Sequence, residues 1–339
     1  MPKLETAPAR FLSCDWGTTR LRLRLVDESP SAILDEYGSD DGVARLAGAS
    51  PGGRADAFRQ ALWHGVSQLA ARHGDAVHDL CIVISGMASS SIGWHELPYA
   101  TLPLALDGSG LVWKSLGPLE RGRGGQIILI SGLASGEDVM RGEEIEVLGA
   151  VRLVPDGPLA AEAILILPGT HSKHIHLRAG HIVGFQTFMT GELFDVLASH
   201  SVLRHSVSKS GDQQRSDQPP AETSAAFAEG VRLGATFPLA AALFQIRTRG
   251  LLAGWSPAAC SQLLSGILIA AELVALRQPS AASLPIVLAA SPALSNSYVQ
   301  AASELGLTGR LAILPAVDVS KLAVVGQSLL LRLVLATGG

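Results

Sequence analysis

A chain of 339 residues, 47% hydrophobic and 17% charged, can bury a large core and by length divides into two domains. That composition excludes a disordered or fibrous protein, and a net charge of -4 with no run of Lys and Arg gives no basic field for nucleic acid. Cys14, Cys81 and Cys260 are widely spaced without a CxxC, which suggests neither a disulfide framework nor a thiolate metal site but free thiols in a reducing cytoplasm.

No apolar run has the length of a signal peptide or a membrane span, so a cytoplasmic protein without a membrane partner is expected. The high apolar content reads as a large core with room for a homodimer interface.

In chain order, Phe11 to Asp15 is a short apolar strand ending on an Asp, and the turn Gly17-Thr18-Thr19 after it implies a hairpin. Arg20 to Val26 alternates polar and apolar residues, which sets its Leu side chains on one face of a strand. Ile33 to Tyr37 is a third strand. Arg54 to His73 carries Phe58, Leu62, Val66 and Leu69 at helical spacing and stops at Gly74. Leu80 to Ser85 is a buried strand, with Gly86-Met87 and a Ser-rich turn at its carboxyl end, where open sheets hold their ligand loops. Ile127 to Ile130 follows as a strand, and Asp138 to Val151 as a helix with an acidic first turn.

Pro155-Asp156-Gly157-Pro158 reads as a hinge and divides the chain into domains 1–157 and 158–339. Beyond it the opening arrangement recurs: a strand Ala163 to Leu167, the turn Pro168-Gly169-Thr170-His171-Ser172-Lys173, and a hairpin partner at His181 to Gln186. Ser206 to Glu222 is polar, holds Pro219-Pro220 and reads as a surface loop. Helices are expected at Ala225 to Gln245, Ser256 to Arg277, Asn296 to Leu305 and Lys321 to Ala336, with a strand at Ile286 to Ala290. The fold class is α/β, with two lobes and an active-site cleft between them.

Phosphoryl transfer needs backbone N–H groups and small hydroxyls around phosphates, and a carboxylate for metal or base work. Asp15-Trp16-Gly17-Thr18-Thr19-Arg20 offers these within one turn: Gly17 for close backbone approach, Thr18 and Thr19 as donors, and Asp15 for a hydrated Mg²⁺. A plain hairpin turn with Asp at its entry has the same residues. The second turn repeats the design with Gly169, Thr170, His171, Ser172 and Lys173. No GxxxxGK[ST] occurs, which excludes a P-loop, and Gly122, Gly124 and Gly125 do not form a GxGxxG. His171, His174 and His176 alternate along a strand and give no helical zinc motif.

These segments resemble the 2-dehydro-3-deoxygalactonokinase family, within the broad hexokinase, acetate kinase and actin superfamily. The likeness rests on DWGTTRLR at Asp15 to Arg22, SGMASSSIGWHELPY at Ser85 to Tyr99 and DVMRGEE at Asp138 to Glu144. It continues through LPGTHSKHI at Leu167 to Ile175, FMTGELFDVL at Phe188 to Leu197 and SGILIAAEL at Ser265 to Leu273. The resemblance implies two actin-like (ribonuclease H-like) lobes that close around their substrates, and ATP-dependent phosphorylation of the 6-hydroxyl of 2-dehydro-3-deoxy-D-galactonate.

It also implies that Asp15 to Thr19 form the first phosphate loop and Gly169 to Ser172 the second. Glu143 or Glu144 stands where related sugar kinases keep a catalytic Asp, with Asp138 in reserve and Arg141 as a partner for substrate carboxylate or phosphate. The same Glu pair at a helix N-terminus also serves the helix dipole. Gly86, Met87, Ser90, Trp94 and Glu96 would line the sugar-acid pocket, with Trp94 as a flat wall, and Thr190 reads as a substrate contact or a helix cap.

Many superfamily members grip adenosine with a Gly-Gly pair after a strand, whereas this chain has Leu288-Ala289-Ala290-Ser291-Pro292-Ala293-Leu294. Rival readings are a kinase for another sugar acid or sugar, and a non-catalytic sugar-acid sensor on the same fold.

Overall fold

The protein's structure, a computed structural model, describes residues 10–27, 32–48, 53–120, 123–207 and 221–337. Most of the polar stretch 206–222 therefore lies outside the described residues. Two compact units divide the chain: residues 1–161, 176–185 and 317–339 form the first, and residues 162–175 and 186–316 the second.

The first unit is built on a six-stranded sheet. Its strands are β1 (Arg10–Trp16), β2 (Leu21–Asp27), β3 (Ala32–Ser39), β4 (Ile82–Gly86), β5 (Trp113–Glu120) and β6 (Arg123–Ile130), in the order β3-β2-β1-β4-β6-β5. β1, β2 and β3 form an antiparallel meander, while β4 and β6 run parallel to β1. Central strands covered on both faces are apolar almost throughout, and β1 and β4 fit that rule, with every residue of β4 buried. Helix α1 (Arg54–His73) buries Phe58, Leu62, Val66 and Leu69 against this sheet, in a core that includes Trp16, Leu21 and Leu23.

On β2 the Leu residues face that core, while Arg22 and Arg24 point to the other face, opposite Asp15 and Glu36 in register. Alternation along one strand thus sets a row of charges beside Asp15.

The expected helix from Asp138 begins later, as α2 (Glu143–Leu153), with Gly142 as its N-cap. Val139 and Met140 are extended because they pair with Ala134 and Leu133 in a small sheet. The residues 155–158 include the start of a short 3-10 turn, Pro158–Ala160, and the first unit continues to Ala161.

A second sheet repeats the arrangement, and its residues 176–185 count with the first unit. β7 (Glu162–Leu167), β8 (Ser172–Arg178) and β9 (His181–Phe188) are consecutive neighbours joined by short turns, which only antiparallel strands permit. β10 (Ile286–Leu288) adds to β7 in parallel and β11 (Leu311–Ile313) to β10, so the order is β9-β8-β7-β10-β11, with the two-residue strand Leu104–Ala105 as a sixth member antiparallel to β9 at its outer edge. From β9 to β11 this is the sequence of strands seen from β3 to β6 in the first unit, and each sheet is a ribonuclease H-like, actin-type lobe sheet. The hairpin partner of β7 is β8, not the expected His181 to Gln186, which is the next strand along.

Between β9 and β10 come α3 (Thr190–His200), α4 (Ala221–Thr236), α5 (Leu239–Leu252) and α6 (Pro257–Leu273). The single helix expected over Ala225 to Gln245 is broken at Phe237-Pro238, since Pro238 has an extended ψ of 134° and begins α5 as its N-cap. Among the described residues, Pro257–Arg277 is the stretch long and apolar enough to cross a membrane, yet it is 72% buried inside the unit as its core helix.

After α7 (Pro292–Glu304) and β11, the chain ends in α8 (Leu322–Ala336), which belongs to the first unit. There it crosses α2 so closely that a methyl on Gly149 or Gly326 would meet the facing backbone oxygen at 2.0 Å. A split at 157/158 does not describe this arrangement, because packing of the last helix is a long-range property.

Candidate active site

Open α/β sheets place ligands beyond the carboxyl ends of their strands. In the first unit those ends carry Asp15 on β1, in register with Ser85, and Gly86 on β4, in register with Trp16. Gln327 of α8 fixes both strands from behind: its Nε2 donates to the Cys14 carbonyl at 2.9 Å and to Ser85 Oγ at 2.8 Å.

The Asp15 side chain is 39% exposed, with Arg22 Nη1 3.6 Å from its Oδ2. Although solvent still reaches the side chain, the protein packed around it displaces enough water to raise its carboxyl above the ordinary range, Arg22 and Arg24 pull it down, and the negative charges of Glu143 and Glu36 push it up. Gly17 closes the turn by donating its N–H to the Arg20 carbonyl at 2.9 Å, and Thr18 and Thr19 stand exposed. Arg20 points outward to a surface pair with Asp40.

Behind this turn lies the short helix Val43–Ala47, whose first N–H groups donate to the Gly17 and Thr18 carbonyls at 3.0 Å. Gly42, just before it, is so close that a Cβ would stand 2.2 Å from the Thr19 carbonyl carbon. Nothing but glycine fits there without moving the turn.

The Glu pair divides in two. Glu143 is half-buried and accepts the Arg141 N–H at 3.0 Å; Glu144 is fully buried and accepts the Gly142 N–H at 2.9 and 3.0 Å with its two oxygens. Burial first, and then repulsion by Glu143, pushes Glu144 up to about 8. A carboxyl raised in this way keeps its proton in the folded chain after the unfolded chain has released it. Stability therefore falls as pH rises from about 4.5 through about 8, by up to about 1.4 kcal/mol per pH unit. Urea unfolding of Glu144→Gln beside the wild type should show this slope in the wild type alone; the same slope in both chains would rule out a neutral, buried Glu144.

Arg141 donates from Nη1 to the Ser89 carbonyl at 2.8 Å and to Ser89 Oγ at 2.6 Å, and its guanidinium lies 4.1 Å over the Tyr99 ring. Its Nε is buried without a hydrogen-bond partner among the described residues. Asp138 sits in the turn before Val139, whose N–H it accepts at 2.7 Å.

Of the expected pocket residues, Trp94 is taken up in packing. It stacks on Phe58 and meets Trp16 edge-on, each at 6.1 Å, with Arg59 over its ring at 5.5 Å. Ser90 uses its hydroxyl to close the turn on the Met87 carbonyl at 2.7 Å, Met87 packs on the core, and Glu96 is exposed.

In the second unit the turn after β7 has the same backing. Gly191, at the start of α3, is so close that a Cβ would stand 2.5 Å from the Gly169 carbonyl oxygen, and the Glu192 N–H donates to the Thr170 carbonyl at 3.0 Å. A cavity of about 390 Å³ opens beside it, lined among others by Gly169, Thr170, Thr190, Gln262, Leu294 and Tyr298. That volume lies in the range of small-ligand sites. Leu294 comes from the segment where the sequence lacks the Gly-Gly pair.

The rest of this turn faces elsewhere. His171 is exposed and pairs with Glu192 at 2.5 Å, while Lys173 is buried and folds back onto the His171 carbonyl at 3.0 Å. Ser172 is fully buried and donates to Glu272 at 2.7 Å. Thr190 is the first residue of α3, not its cap, and its hydroxyl also donates to Glu272.

Sequence reasoning missed Glu272, Tyr298, Gln327, Ser89, Gly42 and Gly191. The one available signal was Glu272, a lone charge in the apolar run SGILIAAEL.

Each of the two sheets carries a glycine-backed turn after its first strand, and the relatives that this chain matches along most of its length make it a phosphotransferase with an alcohol group as acceptor. The family model for 2-keto-3-deoxy-galactonokinase matches residues 15–322, and the chain belongs to that family. The Escherichia coli K12 2-dehydro-3-deoxygalactonokinase is 32% identical over 305 residues, covering 88% of this chain and 91% of that one. A crystal structure from Sinorhizobium meliloti, 30% identical, superposes with a TM-score of 0.75 over 94% of this chain and 98% of its own.

Proposed function

We propose that this protein is an ATP-dependent kinase that phosphorylates the 6-hydroxyl of 2-dehydro-3-deoxy-D-galactonate in the cytoplasm. The observation that carries this reading is the family match over residues 15–322, with Asp15 at the carboxyl end of β1 and the exposed Thr18 and Thr19 in the turn after it. Glu143 accepts the proton of the acceptor hydroxyl as its oxygen bonds to the γ-phosphorus and ADP leaves. Arg141, held by Ser89 and Tyr99, offers its guanidinium to the sugar-acid carboxylate. In the second unit, the cavity beside Gly169 and Thr170 takes the nucleotide.

Among the described residues no cluster of three or more His, Cys, Asp or Glu side chains could hold a metal ion. Mg²⁺ suits such a site, since it binds through one or two carboxylates together with substrate phosphates. Asp15 is the carboxylate that fits it, since it stands at the carboxyl end of β1 with its side chain open to solvent beside the Gly17-Thr18-Thr19 turn. When bound, the cation neutralises charge on the phosphates.

The test is ADP release with Mg·ATP and 2-dehydro-3-deoxy-D-galactonate, beside its C4 epimer, gluconate, galactonate, glycerol and hexoses. Selective turnover of the first compound is expected. Turnover of another compound alone would leave a kinase with a different substrate, and ligand binding without turnover would leave a sensor.

A further inference from the structure

Glu272 is 2% exposed and lies in the middle of a hydrogen-bonded cluster that joins four elements of the second unit. Its Oε1 accepts from Ser172 Oγ at 2.7 Å and from His174 Nε2 at 3.0 Å, both on β8. Its Oε2 accepts from Thr190 Oγ1 on α3 and from the Tyr298 hydroxyl on α7 at 2.8 Å. A carboxylate is an acceptor with about four lone-pair sites, and here each oxygen takes two donors. Tyr298 remains a donor at all ordinary pH, because burial and then the Glu272 charge raise its hydroxyl far above its usual value.

Three of the four donors stand at the cavity wall or at the end of the turn beside it. Thr190 and Tyr298 line the cavity of about 390 Å³, and Ser172 ends the turn that supplies Gly169 and Thr170 to the same wall. Glu272 itself does not line it. A network that serves only to fill the core could be replaced by apolar side chains at little cost. This one ties a single carboxylate to two walls of a ligand site and to the strand after its loop.

We propose that Glu272 is a positioning residue for the nucleotide site: it sets the spacing of the turn after β7, the first turn of α3 and the first turns of α7. This rests on the reading of that cavity as the nucleotide site. Its consequence is selective, because the groups so held touch the nucleotide and not the sugar acid.

Glu272→Gln keeps the size of the side chain but turns two N–H donors toward groups that are themselves donors. Isothermal titration with ATP should show affinity weakened about 10–100-fold, the scale of a lost charged hydrogen bond. The KM for ATP should rise with it, while the KM for the sugar acid stays within about threefold. Tyr298→Phe, which deletes one donor and leaves the carboxylate, should weaken ATP about 3–10-fold.

A folded Glu272→Gln protein with unchanged ATP affinity overturns the proposal, as does an equal rise in both KM values, which marks general loosening. If Glu272→Gln does not fold, Tyr298→Phe decides: unchanged ATP affinity overturns the proposal and selective weakening upholds it. A wild type that binds no adenine nucleotide overturns the nucleotide reading as well, whereas wild-type binding with unaffected variants overturns this proposal alone.

Discussion

Glu143→Gln should lower kcat about 10²–10⁴-fold, the usual contribution of a positioned general base. The amide keeps the size of the side chain and can still accept the Arg141 N–H, which Glu143 Oε2 accepts at 3.0 Å, so the start of α2 is preserved. What is lost is an acceptor for the proton of the attacking hydroxyl. Substrate affinities should change little, and kcat and kcat/KM should fall together, as expected for a group that acts only in the transition state.

Glu144→Gln is the control, with a kcat loss below about tenfold, because a fully buried side chain cannot reach a substrate. Asp138→Asn is the other comparison. Steady-state rates and single-turnover measurements on the three variants decide between the carboxylates. A Glu143→Gln enzyme that keeps its rate while Asp138→Asn loses it would move the base to Asp138.

How far the sequence carried this assignment depends on the range of each interaction. α1 was readable to its ends, because four apolar residues at helical spacing and a terminal glycine are local signals. β5 was not, since Lys114, Ser115, Gly117 and Pro118 interrupt its pattern at the edge of the sheet. Recurrence of strand and turn after residue 161 was legible, and it led to the duplicated sheet.

Function-bearing contacts behaved differently. Asp15 and the pair Glu143 and Glu144 were chosen from their motifs, but no local feature says that Glu144 turns inward and Glu143 does not. Ser172 and Lys173 look like phosphate ligands by type, yet the carboxylate that draws Ser172 inward lies 100 residues away. Such partners are chosen by packing, which one sequence does not record. Gly42 and Gly191 are the clearest case: each is an ordinary loop or helix-start glycine until the neighbouring turn is seen.

Those two glycines should be among the least replaceable residues of the chain. At Gly42 a methyl would stand 2.2 Å from the Thr19 carbonyl carbon and 2.4 Å from the Thr18 oxygen, and at Gly191 2.5 Å from the Gly169 oxygen and 2.8 Å from the Thr170 Cα. These are backbone atoms and cannot rotate away, so the turn itself must shift. Overpacking of this kind costs about 1–3 kcal/mol of stability. The loss in catalysis should be larger, because a displacement of about 1 Å in a positioning group can cost about 10²-fold.

We therefore expect Gly42→Ala and Gly191→Ala each to lower kcat/KM about 10²-fold, in proteins that still unfold cooperatively. On the proposed reading of the cavity that its turn lines as the nucleotide site, Gly191→Ala should act mainly through ATP. Gly184→Ala, where a methyl meets nothing within 4 Å, serves as the neutral control. Rates within about threefold of wild type in both variants would mean that neither turn is positioned by its glycine, and would remove the case for these turns as the phosphate loops.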